Sequence, residues 1–312
     1  MKQTHLLRPV VAALLAMAAC LPAARAAAVV TPLADGSAAS AAALVDTLLG
    51  AESRLSVVAG SASYTGQASA SGRFTGGGTG ATGLGIDSGV VLSTGDARFI
   101  GSSAAFEGDA ANQTGTYTAG VGNGLTANTA AGHALFGALT SEPTFNASVL
   151  SFSFVPQHAR LTMSFVFASE DYNDLVDSGF PTDVFGVFVN GVNQALVPGT
   201  GLAISASSVH CVGAGSHCGL YRDNPAFFDT VDTELDGLTV VMNLEMAVNA
   251  GQVNTLSIGI ADTLDTVGDS AVMLAAGSVS AVPEASTWAL MLGGLAAMAA
   301  TARRRRHDTT TA

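Results

Sequence analysis

The chain has 312 residues, 48% of them hydrophobic and 12% charged, with a formal net charge of −12. So much apolar content at so little charge excludes a disordered chain. Between residues 27 and 282 there are five arginines, no lysine and 22 carboxylates, a net charge of −17, which repels phosphate backbones and excludes nucleic acid as a partner.

The chain opens with Lys2, Arg8 and an apolar run from Pro9 to Leu21, followed by Ala24-Arg25-Ala26. This is the layout of a secretory signal peptide over 1–26, cut by signal peptidase after Ala26; the run is too short to span a bilayer. Cys20 makes a poor lipidation site, because Met17 stands where leucine is wanted.

Residues 27–282 read as one domain. In "SAAALVDTLLG", Ala41, Leu44, Val45, Leu48 and Leu49 share one helical face, and Gly50 stops the helix. From about 60 to 145 the chain is rich in Gly, Thr, Ala and Asn, which predicts short strands and long surface loops. Within it, "GIDSGVVLSTG" (85–95) is superficially like the Gly-Asp-Ser-Gly of trypsin-like proteases. That chemistry needs a histidine base and an orienting aspartate, and the only upstream histidine, His5, leaves with the signal peptide. The stretch is read as a turn into a strand.

From residue 150 the apolar period is two. Leu150, Phe152 and Phe154 alternate with serines, and Leu161, Met163, Phe165 and Phe167 form the next strand. "DVFGVFVNGVNQALV" is apolar on both sides and contains Asn190-Gly191, a hairpin turn. Leu238, Val240, Met242, Leu244, Met246 and Val248 predict one face of a single long strand. Val253, Leu256, Ile258 and Ile260, then Val272 and Leu274, predict the final two strands, with a phase break after Val253. Strands separated by turns, with one short N-terminal helix, predict an all-β fold: an antiparallel two-sheet β-sandwich, jelly-roll-like.

Two loops concentrate acid. "FASEDYNDLVDSGFPTDVFGVFVNG" (167–191) supplies Glu170, Asp171, Asp174, Asp177 and Asp183, and "IADTLDTVGDSAV" adds Asp262, Asp265 and Asp269. Three readings fit: a Ca²⁺ site, a solvated acidic surface, or a carboxylate pair acting as acid and base in a glycosidase. For calcium the candidate ligands are Glu170, Asp174, Asp177 and Asp183, helped by Asp262 and Asp269; Tyr172 and Leu175 instead pack the loop onto the sandwich. Cys211 and Cys218, in "HCVGAGSHCGLY", form a disulfide in the simplest reading for an exported protein. A Cys2His2 zinc site using His210 and His217 is the alternative, although adjacent His-Cys pairs make poor simultaneous ligands.

Taken in order, "GIDSGVVLSTG", "FVFASEDYNDLVDSGFPTDVFGVFVNG" and "IADTLDTVGDSAV" resemble signatures of the choice-of-anchor L domain of bacterial surface proteins. The resemblance covers about 30–280, implies no enzymatic activity, and departs from the family at Asp171 (usually Glu) and at Leu264 and Thr266, in a usual Gly-Asp-Ser stretch.

The chain closes with Pro283-Glu284-Ala285, an uncharged span from Ala285 to Ala302, and Arg303, Arg304, Arg305 and Arg306. Eighteen residues at about 1.5 Å each give a helix of about 27 Å, barely the hydrocarbon thickness. Each arginine costs about 2.5 to 3.5 kcal/mol at the bilayer centre, so four together hold the tail in the cytoplasm. Residues 283–312 resemble a PEP-CTERM sorting signal, which implies transient membrane anchoring and cutting by an exosortase near Pro283-Glu284. A plain C-terminal membrane anchor is the alternative. The whole predicts an exported protein passing through the inner membrane to the cell surface or matrix. Its expected role there is structural or adhesive, with matrix polysaccharide or other surface proteins as partners. A carbohydrate-binding module is the runner-up, disfavoured because Trp288, the single tryptophan, lies in the tail; an extracellular hydrolase is third.

Overall fold

A computed structural model describes residues 28–101, 128–213, 216–224 and 230–283, together with Leu295 and Met298; for Asn173 and Asp174 it describes the backbone alone. The signal peptide, the carboxyl groups of Asp174 and Glu284, Ala285 and the arginine cluster lie outside these residues.

The chain opens with strand β1 (Val29–Pro32) and helix α1 (Ala38–Leu48). Ser37 caps the helix: its hydroxyl accepts from the Ser40 N–H at 3.2 Å. Ala41, Leu44, Val45 and Leu48 are buried, while Leu49 leaves the helix in extended conformation and bridges to Val279. Strands β2 (Leu55–Val57), β3 (Ser63–Thr65), β4 (Ser71–Thr75) and β5 (Ser88–Ser93) follow. Then come the two long strands β6 (Thr144–Pro156) and β7 (Arg160–Ser169), and a single helical turn α2 (Asp171–Asp174). Next are β8 (Val184–Val189), β9 (Val192–Asn193) and β10 (Tyr221–Asp223). The body ends with β11 (Gly237–Thr239), β12 (Met242–Ala247), β13 (Asn254–Thr263), β14 (Ser270–Ala275) and β15 (Ser280–Val282).

These strands make two antiparallel sheets. One runs β1-β4-β5-β14-β7-β11-β10, with β12 and β15 also on β7; the other runs β2-β6-β13-β8-β9, with β3 also on β6. The predicted sandwich is the observed one. Its core interleaves Val90, Leu92, Phe165, Phe167 and Val272 of the first sheet with Leu150, Phe152, Phe185, Val187 and Ile258 of the second, and α1 plugs one side. Both outer faces are covered as well. Phe74, Phe99, Val166 and Met273 pack outside the first sheet, and Phe136 covers Val149, Phe188 and Ala261 outside the second. A strand with cover on both sides reads as a continuous apolar run, which is why "VFGVFV" is buried at all six positions.

The hairpin at Asn190-Gly191 forms as its sequence demands: φ is 51° and 83° there, and Val189 pairs with Val192. Two expectations need correction. The long strand expected over 238–248 is two strands, β11 and β12, both paired with β7. Leu238 faces Ala168 while Met242 faces Phe165, so one extra residue sits between them on this side. That insertion turns Leu238 to the outer face while Met242, Leu244 and Met246 enter the inner core. The break is stitched by the Thr239 hydroxyl, which accepts from the Phe167 N–H at 3.1 Å. The strands near 256 and 272 are also not the last, because β15 returns to pair with the start of β7.

Among the described residues no helix is long and apolar enough to cross a membrane. The membrane span expected over 285–302 has no support there, since only Leu295 and Met298 of it are described, both helical.

Candidate functional site

Antiparallel pairing gathers the acidic residues at one end of the sandwich. Ser169, the last residue of β7, pairs with Ser270, the first of β14, and Ala271 pairs with Ser93 near the end of β5. In the other sheet Ala261, near the end of β13, pairs with Val184 at the start of β8. Residues flanking these strand ends therefore meet: Glu170 and Asp171 after β7, Asp183 before β8, Asp262 and Thr263 closing β13, Asp269 before β14, and Thr94 after β5. Asp171, Asp183, Asp262 and Asp269 are 3%, 4%, 1% and 0% exposed, and burial of four carboxylates this deeply requires compensation.

Part of it comes from hydrogen bonds. Asp171 Oδ2 accepts from the Asp183 N–H at 2.8 Å, Asp183 Oδ1 from the Thr263 N–H at 3.2 Å, and Asp183 Oδ2 from the Ser270 hydroxyl at 2.6 Å. Glu170 Oε2 accepts from the Asp269 N–H at 3.0 Å, and Asp262 Oδ2 from the Asn146 amide at 2.7 Å. The Ser270–Asp183 bond joins one sheet to the other. Close approach is built in at Gly95, where a Cβ would run into Asp269 Oδ2.

The compensation is incomplete. Asp262 Oδ1 and the Thr263 hydroxyl are buried without a hydrogen-bond partner. Burial, then the charges of Asp171 and Asp262, push the Asp183 carboxyl well above the usual carboxylate range. Burial, then the charge of Asp269, does the same to Asp262, only partly opposed by the hydrogen bond from Asn146.

A cleft of about 190 Å³ opens onto this centre, lined by Asp171, Asp183 and Thr263 within and by Phe180, Leu264 and Val267 at its rim. Leu264 takes φ 79°, a left-handed conformation that glycine adopts without cost and leucine rarely does.

The expected ligands divide. Glu170, Asp183, Asp262 and Asp269 come together. Asp177 is exposed on the α2–β8 loop with φ 65°, facing the Gly213 region, and Asp265 is exposed at the cleft mouth. Among the described residues no group of three or more carboxylates, imidazoles or thiols is spaced to hold a metal ion as it stands. Asp171, Thr94, Asn146 and Ser270 also belong to the centre. Asp171 was legible in the acidic run, whereas the others carry no local signal. Tyr172 is fully buried, its ring 6.3 Å from Phe167 and 4.8 Å from Tyr221, and so holds α2 against the sandwich.

Cys211 and Cys218 are joined as a disulfide, their Cα atoms 4.4 Å apart. The neighbouring imidazoles are turned to backbone, His210 Nδ1 accepting from the Val212 N–H and His217 Nδ1 lying 2.7 Å from the Ser208 carbonyl oxygen. Mass spectrometry of unreduced exported protein should find the two cysteines linked, with no free thiol. A Cys211→Ser, Cys218→Ser variant should lose about 2.5 kcal/mol, the chain-entropy value for so short a loop. Free thiols or stoichiometric zinc would reverse this assignment.

The choice-of-anchor L domain signature matches residues 32–280, the whole sandwich from the end of β1 to the start of β15. The chain belongs to the choice-of-anchor L domain family. The PEP-CTERM protein-sorting motif matches the next segment, 281–306. It implies an exported protein, processed by an exosortase and sorted through the membrane to the cell surface. Neither is an enzyme family. No curated protein matches this choice-of-anchor L chain. Two solved structures of the β-glucosidase from Kluyveromyces marxianus share partial similarity. The selenomethionine form is 13% identical over 45% of this chain and 11% of its own, with a TM-score of 0.21. The glucose complex is 15% identical over 43% and 11%, with a TM-score of 0.18. Scores this low carry no argument about fold or activity.

Proposed function

We propose that this choice-of-anchor L protein is cut free by its exosortase and serves as a structural or adhesive module of the cell surface or extracellular matrix. The observation that carries the reading is the junction between body and tail. The last strand, β15, ends at Val282, and Pro283-Glu284 follows directly. Cutting there leaves every strand pair of the sandwich intact, including Ser280 with Thr162 and Val282 with Arg160. The module is delivered whole, after a signal peptide over 1–26 has taken it into the export path.

Calcium is the counter-charge this reading calls for. A body with five arginines against 22 carboxylates meets millimolar Ca²⁺ outside the cell, and hard oxygen ligands suit that ion. The cleft favours an ion over a sugar, since its volume of about 190 Å³ falls below the roughly 300 to 1,000 Å³ of small-molecule sites. A hydrolytic pair finds no support in Asp183, whose two oxygens each accept a hydrogen bond from the protein. The test of delivery is fractionation of an epitope-tagged chain in a host with and without its exosortase. Tagged body should move from the medium or cell surface to the inner membrane when the exosortase is missing. An unchanged distribution would overturn the proposal.

A further inference from the structure

We infer that Asp171, Asp183, Asp262 and Asp269 form one Ca²⁺ site that locks the two sheets together, and that Asp177 of the neighbouring loop takes no part. The inference rests on calcium being available to an exported body, but its chemistry is written in the fold. Four carboxylates from four strand ends meet almost fully buried. One of their oxygens, Asp262 Oδ1, is buried without a partner, and so is the adjacent Thr263 hydroxyl, whose residue lines the cleft beside Asp171 and Asp183. Buried acceptors without donors are costly. A cation answers both needs at once, taking up the orphaned oxygen and cancelling the mutual repulsion of the carboxylates.

The donor set selects the ion. All the groups are oxygens, which excludes the soft sites of zinc and copper. Ca²⁺ takes 6 to 8 oxygens at about 2.3 to 2.6 Å in flexible geometry, whereas Mg²⁺ demands a near-ideal octahedron at about 2.0 to 2.1 Å. The carboxylates sit at strand ends and in loops, and the cleft reaches two of them, Asp171 and Asp183, together with Thr263. Asp171 and Glu170 follow the first sheet's β7, and Asp183 precedes the second sheet's β8. Asp262 lies at the end of β13 and Asp269 just precedes β14, so one ion grips both sheets.

The full chain, freed of metal with EDTA and dialysed, is titrated with CaCl₂ and with MgCl₂ by calorimetry, and its melting is followed in each salt. One Ca²⁺ per chain is expected, with a dissociation constant of about 10⁻⁴ to 10⁻³ M. At ten times that constant melting should rise by roughly 3 to 6 °C, the equivalent of RT ln 11 for a body of this size. Asp262→Asn should abolish the calcium shift yet melt no lower than the natural chain in EDTA, because it removes a repelling charge. A residue needed only for packing would lower both. Asp177→Asn should keep the full shift. Asp183→Asn repeats the test should Asp262→Asn fail to fold. The site is refuted if calcium shifts melting no more than magnesium does, if both Asp→Asn variants keep the shift, or if Asp177→Asn loses it. None of these outcomes touches the fractionation result, so failure of the ion site and failure of exosortase delivery are read separately.

Discussion

Phe185→Ala should destabilise the body by about 3 to 5 kcal/mol, the usual cost of deleting a buried aromatic ring. Phe185 lies on β8 with no exposed surface, and its ring reaches across the sandwich to Phe165 at 5.0 Å and Phe167 at 6.1 Å on β7. The deletion removes the transfer energy of the ring and leaves a void between two sheets that strand pairing holds in place, so little collapse can fill it. Folded domains are stable by about 5 to 15 kcal/mol in total, so the loss is a large share. In denaturant unfolding the midpoint should fall sharply with an unchanged slope. Phe180→Ala is the control: that ring is 62% exposed at the cleft rim, and its loss should stay within about 0.5 kcal/mol. A Phe185→Ala loss below 1 kcal/mol would contradict the packing of the two sheets on one another.

Neutralising Arg303, Arg304, Arg305 and Arg306 together should abolish release of the body. Four arginines at about 2.5 to 3.5 kcal/mol each set a barrier on the order of 10 kcal/mol against drawing the tail through the bilayer. On the proposed route, glutamine or serine at these four positions leaves the tail no charge to hold it in the cytoplasm after an uncharged segment of 18 residues. The chain then slips through, and Pro283-Glu284 is no longer held at the depth where the exosortase works. Fractionation of the variant should show uncut chain and no released body. Release at the natural level would show that the cluster does not act as a stop, and would leave the sandwich and its carboxylates unaffected. A single Arg→Gln change should do little, because three charges remain.

The sequence by itself determined the two-sheet architecture, since period-two patterning over β6, β7, β12 and β13 leaves each strand an inner face to bury. It determined the hairpin, because Asn190-Gly191 accepts positive φ at both positions, and the helix, through Ala41, Leu44, Val45 and Leu48 at helical spacing. The sorting motif of the tail was equally legible, since it is a linear pattern of residues whatever the fold. Tertiary structure decided what depends on register. One inserted residue between β11 and β12 turned Leu238 outward, and alternation alone cannot announce such a shift. The acidic centre is the same case on a larger scale. Local density pointed to Asp174 and Asp177 as readily as to Asp183, but only strand pairing brings residues 94, 146, 171, 183, 262 and 269 to one end of the sandwich. A carboxylate exposed in a loop and one buried between sheets are identical in sequence. What separates them is desolvation, and that is fixed by the neighbours the fold supplies.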